Sequence, residues 1–163
     1  MIIKLKNKDK LIVDDFILKC CVGKLGINNN KKEGDKSTPS GIFKLGNVFY
    51  RSDRVTKPFT KLKCIKINKN MGWCNDPFSN FYNKKIKLNK KIKHEKLFRK
   101  DYKYNYFIVI KYNYLKTIKG KGSCIFLHLT NNYKPTSGCV ALKKKDFLTL
   151  LKLINKKTKI KIY

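Results

Sequence analysis

Cys139 follows a glycine in Thr136-Ser137-Gly138-Cys139-Val140, and His128 lies eleven residues earlier in the apolar run Ile125-Phe126-Leu127-His128-Leu129. These are the residue types that nucleophilic acyl transfer uses. A free thiol has a pKa of about 8.5, so little of it is thiolate at neutral pH. An imidazole within reach takes the proton and leaves a thiolate–imidazolium pair. The thiolate attacks a carbonyl to give a thioester, and the imidazolium protonates the leaving amine. The oxyanion formed on the way needs donors, for which the backbone N–H groups of Gly138 and Cys139 are the expected suppliers. Glycine at 138 permits a tight backbone and leaves no Cβ to crowd the incoming carbonyl. Taken alone, a His in an apolar strand and a single Cys are also ordinary core residues. The second histidine, in His94-Glu95-Lys96, lies in a charged stretch and reads as a solvated helix end.

Bringing Cys139 to His128 needs a strand, a turn and a returning strand. Tyr106 to Tyr112 is β-branched and aromatic and reads as a central strand; Ser123 to Leu129 and Gly138 to Leu142 read as two more. Phe147, Leu150, Leu151 and Ile154 recur at i, i+3, i+4 and i+7, one face of a helix, with Asp146 near its start and Lys156 and Lys157 near its end. Lys159-Ile160-Lys161-Ile162-Tyr163 alternates as a closing edge strand whose lysines would discourage pairing. In the N-terminal third, Ile2 to Lys6 and Leu11 to Val22 suggest a hairpin, Gly23 to Ser40 a long polar loop, and Ile42 to Leu45 and Leu62 to Ile67 further strands. Met71 to Asn83 reads as irregular. The expected fold is mostly β, with mixed sheets or a sandwich and one main C-terminal helix, in a single domain over 1–163.

The composition narrows the partners. Forty Lys and Arg face ten Asp and Glu, a formal charge of +30, and only Arg51, Arg54 and Arg99 are arginines. Codon bias toward Lys, Asn and Ile accounts for much of this, although the same bias would favour Glu, which is scarce. Attraction to a polyanion accounts for the rest, with nucleic acid, anionic lipid or an acidic envelope polymer as candidates. Lysines without arginine forks suit diffuse attraction better than base reading, and no nucleic-acid motif accompanies them. No apolar run approaches the ~20 residues of a membrane span. The opening Met-Ile-Ile-Lys-Leu-Lys alternates like a strand and does not read as a signal peptide. The six cysteines, at 20, 21, 64, 74, 124 and 139, are even in number, but no C-x-x-C pair occurs. Buried free thiols are expected, with neither a metal nor a cofactor.

These segments resemble the L,D-transpeptidase catalytic domain, the YkuD-like family, in a small bacterial subgroup. The family's signature is a His on one strand, then Ser or Thr, a variable residue, Gly and Cys; here it is His128 followed by Thr136-Ser137-Gly138-Cys139. Gly23-Lys24, Lys32-Glu33-Gly34-Asp35, Thr38-Pro39-Ser40-Gly41-Ile42-Phe43, Gly72-Trp73-Cys74-Asn75-Asp76-Pro77, Phe81-Tyr82-Asn83 and Gly120-Lys121-Gly122-Ser123 extend the likeness over nearly the whole chain. The resemblance implies Cys139 as nucleophile, His128 as general base and acid, and Gly138 and Ser137 in support. A backbone carbonyl can orient the His in this family. It implies peptidoglycan stem peptides as substrate, with release of terminal D-Ala and transfer of the acyl group to an amine, by a monomer in the cell envelope or periplasm. A carboxypeptidase or amidase of the same fold is the alternative, and a basic nucleic-acid-binding protein a third reading. Trp73, Tyr82 and Lys121 are candidate substrate contacts, with loop architecture as the other role for Trp73. Better-studied members carry His before the Gly and Arg soon after the Cys, where this chain has Ser137 and Ala141; Lys24, Lys32 or Lys121 are candidates to hold a substrate carboxylate instead.

Overall fold

The computed structural model describes residues 1–163. Its strands are β1 (Ile2–Lys6), β2 (Lys10–Val13), β3 (Phe16–Cys21), β4 (Ile27–Asn28), β5 (Thr38–Pro39), β6 (Gly41–Tyr50), β7 (Cys64–Lys66), β8 (Met71–Cys74), β9 (Lys85–Lys87), β10 (His94–Lys96), β11 (Tyr106–Ile110), β12 (Phe126–Leu129), β13 (Val140–Leu142) and β14 (Lys159–Ile162). One helix, α1 (Lys144–Leu153), precedes the last strand. The mostly β fold with a single C-terminal helix is as the sequence suggests. No helix is long and apolar enough to cross a membrane.

Nine strands form one sheet in the order β11-β12-β13-β3-β2-β1-β14-β6-β7. It closes on itself because β6 also pairs with β11. Two strands turn the corners. The start of β3 pairs with β2, and its end, Cys20 and Cys21, pairs with β13. The first half of β6 pairs with β14, and Val48–Tyr50 pair with both β11 and β7. A register irregularity between Ile108 and Ile110 marks where β11 meets the bend of β6. The main core fills the space between the two halves and takes in Phe147, Leu150, Leu151 and Ile154. Each such side chain contributes about 1.5–3 kcal/mol on burial, which is why the helical spacing held. Residues Tyr106, Ile108 and Ile110 of β11, and Leu127 and Leu129 of β12, enter this core. Phe107, Val109 and Phe126 leave the opposite face and join Phe49, Trp73 and Tyr104 in a second, aromatic cluster. Both strands are therefore buried on both sides, which explains their unbroken apolar runs.

Several local expectations are corrected. The run Leu11 to Val22 is two strands separated by a turn with Asp14 at φ 47°. The polar stretch 23–40 contains a short parallel pair, β4 with β5. Met71 to Asn83 opens with β8, the middle strand of a second sheet ordered β10-β8-β9. His94 is half-buried on β10 and its Nδ1 lies 2.6 Å from Ile92 O, so it ends no helix. β14 is not an edge strand: it lies between β1, to which it runs parallel, and β6. Its alternation correctly put Ile160 and Ile162 inward, but alternation assigns faces and says nothing about lateral neighbours. All six cysteines are free thiols, with Cys20, Cys21, Cys74 and Cys124 buried.

Candidate active site

Strands β12 and β13 are parallel neighbours, with Leu127 opposite Val140, His128 opposite Ala141 and Leu129 opposite Leu142. Cys139 immediately precedes β13, so it stands two residues before the partner of His128. Residues two apart share a face, which puts the thiol and the imidazole on the same side of the sheet, offset by one dipeptide step of about 6.6 Å. Both line a groove of about 700 Å³. The Cys139 thiol is turned toward the entry of β12: Sγ donates to Cys124 O at 3.1 Å and accepts from the Phe126 N–H at 3.3 Å.

The turn that carries the nucleophile is tied at nearly every backbone group. The Gly138 N–H donates to Thr136 Oγ1 at 3.1 Å, and that hydroxyl donates to Cys139 O at 2.6 Å. Gly138 O accepts from Thr38 Oγ1 at 2.8 Å. Of the backbone groups of Gly138 and Cys139, the Cys139 N–H has no protein partner. The expected pair of oxyanion donors is thus reduced to one free donor, because the Gly138 N–H is engaged. Glycine is required at 138 on two counts: φ is 140°, and an added Cβ would lie 2.7 Å from Ser37 O.

His128 is 7% exposed. Its Nδ1 lies 2.9 Å from Leu129 O. A carbonyl accepts only, so Nδ1 carries the proton and Nε2 keeps its lone pair. A main-chain oxygen here does the orienting that an acid does elsewhere. Burial pushes the imidazole pKa down to about 4, against the Leu129 hydrogen bond and with help from Lys103 and Arg99. Burial likewise pushes the Cys139 thiol up to about 12; Glu95 adds to this, while the Phe126 N–H, Lys31 and Arg99 oppose it. The resting pair is therefore neutral thiol and neutral imidazole, not the ion pair that the residue types alone suggest.

One stretch of the groove wall, from Arg99 to Tyr104, is not flagged by the sequence. Tyr104 sets its ring edge-on to His128 at 5.6 Å between centroids, and its hydroxyl donates to Glu95. Burial raises the Glu95 carboxyl. Arg99 reaches Glu95 at 3.5 Å and Asp101 at 2.6 Å, and its guanidinium lies 5.1 Å from the Tyr104 ring. Lys31, Lys36, Lys103, Lys134 and Arg99 line the groove against Glu33 and Glu95, so it is net cationic. The candidates Lys24, Lys32 and Lys121 do not line the groove; of the cations that do, Arg99 belongs to the loop after β10. Its only sequence signal was that it is one of three arginines.

The other anticipated site residues separate. Ser137 is exposed on the groove lip. Trp73 is 2% exposed inside the aromatic cluster, its Nε1 donating to Asn83 Oδ1 at 3.0 Å. Tyr82 is equally buried; its hydroxyl donates to Glu33 and accepts from the Gly122 N–H at 2.9 Å. Glu33 also accepts from Ser123 Oγ at 2.7 Å. Asp35 accepts from Lys31 Nζ at 2.5 Å and from the Ser37 N–H and hydroxyl. Burial works against the Asp35 charge, but these donors hold its carboxyl well below the usual range. Trp73 and Tyr82 thus brace the loops behind the groove and do not line it, and Lys121 is exposed elsewhere, 3.4 Å from Asn30 Oδ1.

Residues 3–162 match the YkuD family, the L,D-transpeptidase catalytic domain. No curated protein sequence matches the chain significantly. Among solved structures it is similar to the helical cell shape determining protein Pgp2 from Campylobacter jejuni, with a TM-score of 0.53 and 20% identity, over 99% of this chain and 46% of that one. A point mutant of Pgp2 gives a TM-score of 0.51 with the same identity and coverage. The chain therefore spans about half the length of the solved relatives it matches, and at this identity the likeness concerns the fold. With the family profile covering all but the terminal residues, the chain belongs to the YkuD family of L,D-transpeptidase catalytic domains.

Proposed function

We propose that this chain is a cysteine-dependent acyltransferase of peptidoglycan stem peptides, acting as an L,D-transpeptidase in the cell envelope. The observation that supports this best is the shared face of Cys139 and His128 at the groove, with the Cys139 N–H unpaired beside them. The thiol leaves Cys124 O by rotation about its χ1 and gives its proton to His128 Nε2 as the sulfur attacks. The S–C bond forms, the carbonyl electron pair moves to oxygen, and the Cys139 N–H receives that oxyanion. Collapse expels D-Ala, whose amine takes the proton back from His128. An acceptor amine then attacks the thioester by the reverse sequence. A neutral resting pair keeps the thiol quiet until a carbonyl is in place. The cationic groove suits stem peptides, which carry several carboxylates, and Arg99 is the planar cation best suited to holding one. The test is incubation with disaccharide tetrapeptides followed by mass spectrometry. D-Ala release with a thioester on Cys139 and cross-linked dimers is expected. Cleaved monomers alone would make the enzyme a carboxypeptidase, and undiminished activity in Cys139→Ala would remove the proposal.

A further inference from the structure

The free Cys139 N–H keeps one direction only if the Gly138–Cys139 peptide keeps its orientation. Gly138 supplies little resistance to a flip of that peptide, since glycine adopts most backbone angles without a steric penalty. Something must therefore hold the peptide plane. Thr38 is fully buried and belongs to β5, one hundred residues away. Its hydroxyl donates to Gly138 O at 2.8 Å. The same oxygen accepts from the Gly23 N–H at 2.9 Å. That second bond fixes where the hydroxyl proton goes, because the oxygen is engaged as an acceptor on one side and must donate on the other. The backbone of this loop also packs directly on the turn, since Ser37 O would lie 2.7 Å from a Gly138 Cβ.

In a trans peptide the C=O and the next N–H point in opposite directions. Anchoring Gly138 O on the buried side therefore turns the Cys139 N–H to the open side. Thr136 secures the rest of the turn by accepting from the Gly138 N–H and donating to Cys139 O. Every polar backbone group of residues 138 and 139 is then accounted for except the one donor that an oxyanion would use. We propose that Thr38 is a positioning residue, whose hydroxyl anchors Gly138 O and so aims the Cys139 N–H at the oxygen of an acylating carbonyl. This rests on the acyl-transfer reading above, and concerns the half of the machinery that stabilises charge, not the half that moves the proton.

The experiment compares two reactions of the same thiol. Acylation by p-nitrophenyl acetate forms the S–C bond, places charge on the carbonyl oxygen and then expels p-nitrophenolate. Alkylation by iodoacetamide displaces iodide and develops no oxyanion. The tetrapeptide is run in parallel. Thr38→Val should lower the acylation kcat by roughly tenfold to a hundredfold, with KM within about threefold and alkylation within about twofold, and Thr38→Ser should restore most of the loss. Wild-type rates of acylation in Thr38→Val would overturn the proposal, as would an equal fall in acylation and alkylation, which would mean a general disturbance of the turn. Should Thr38→Val fold poorly, Thr38→Ser and Thr38→Ala are compared by the same ratio of acylation to alkylation, and a ratio that does not follow the hydroxyl overturns the proposal. A wild-type enzyme acylated by the ester but not by any stem peptide would instead refute the wall-peptide reading while the ester still decides the role of Thr38. A wild-type Cys139 acylated by neither refutes both.

Discussion

His128 stands opposite Ala141 on the neighbouring parallel strand, two residues beyond Cys139, so the imidazole and the thiol leave the sheet on one face. In this resting state they are not bonded to each other: the thiol holds Cys124 O and the imidazole holds Leu129 O.

Cys139→Ala is expected to abolish covalent capture of an acyl donor, measured by intact mass. His128→Gln should slow acylation by about 10²–10⁴-fold while leaving the far-ultraviolet circular dichroism unchanged. A His128→Gln variant within a fewfold of wild type would mean that another group takes the proton.

The protection of Cys139 comes mainly from burial, not from a missing charge partner. Its alkylation rate should therefore climb steadily past pH 9 without a plateau near the ordinary thiol pKa. His128→Gln should leave this resting profile unchanged. A plateau near pH 7 in the wild type would mean a preformed thiolate–imidazolium pair.

His128 is held near pKa 4, below its unfolded value of about 6.5. The unfolded chain then binds more protons between these values, so stability is complete above about pH 6.5 and is lost as pH falls toward 4. At pH 4.5 the loss amounts to about 2.5 kcal/mol. Urea unfolding at pH 7 and 4.5 should show that difference in the wild type and a correspondingly smaller one in His128→Gln.

Trp73→Phe removes the indole N–H from Asn83 while keeping an aromatic ring in the cluster. It should cost about 1–2 kcal/mol of stability and leave KM within about twofold. A large rise in KM without loss of stability would instead make Trp73 a substrate contact.

Gly138→Ala places a Cβ against Ser37 O at a backbone angle that alanine avoids. A loss of about 2 kcal/mol or more is expected, together with loss of acylation. Arg99→Gln should act differently, raising KM for a stem peptide by about tenfold and changing the rate of p-nitrophenyl acetate acylation little.

The inward side chains of several elements are legible in the linear chain. The Phe147-to-Ile154 spacing, the alternation of Ile160 and Ile162, and the apolar runs around Ile108 and Leu127 all record which side chains must leave water, and that record is local. The sequence also made Cys139 and His128 candidates through their types and their eleven-residue separation, and carried the family likeness. Tertiary structure alone decided the lateral order of strands, so β14 proved interior, because period-two alternation is blind to neighbours. It alone put Arg99, Tyr104 and Glu95 on the groove wall and sank Trp73 and Tyr82 behind it, since both kinds of residue occur in similar polar, Gly- and Asn-rich loops. It also set the charge state of Cys139 and His128. Their residue types suggest an ion pair, but the desolvation that keeps both neutral comes with burial among residues from elsewhere in the chain, such as Tyr104 and Phe107.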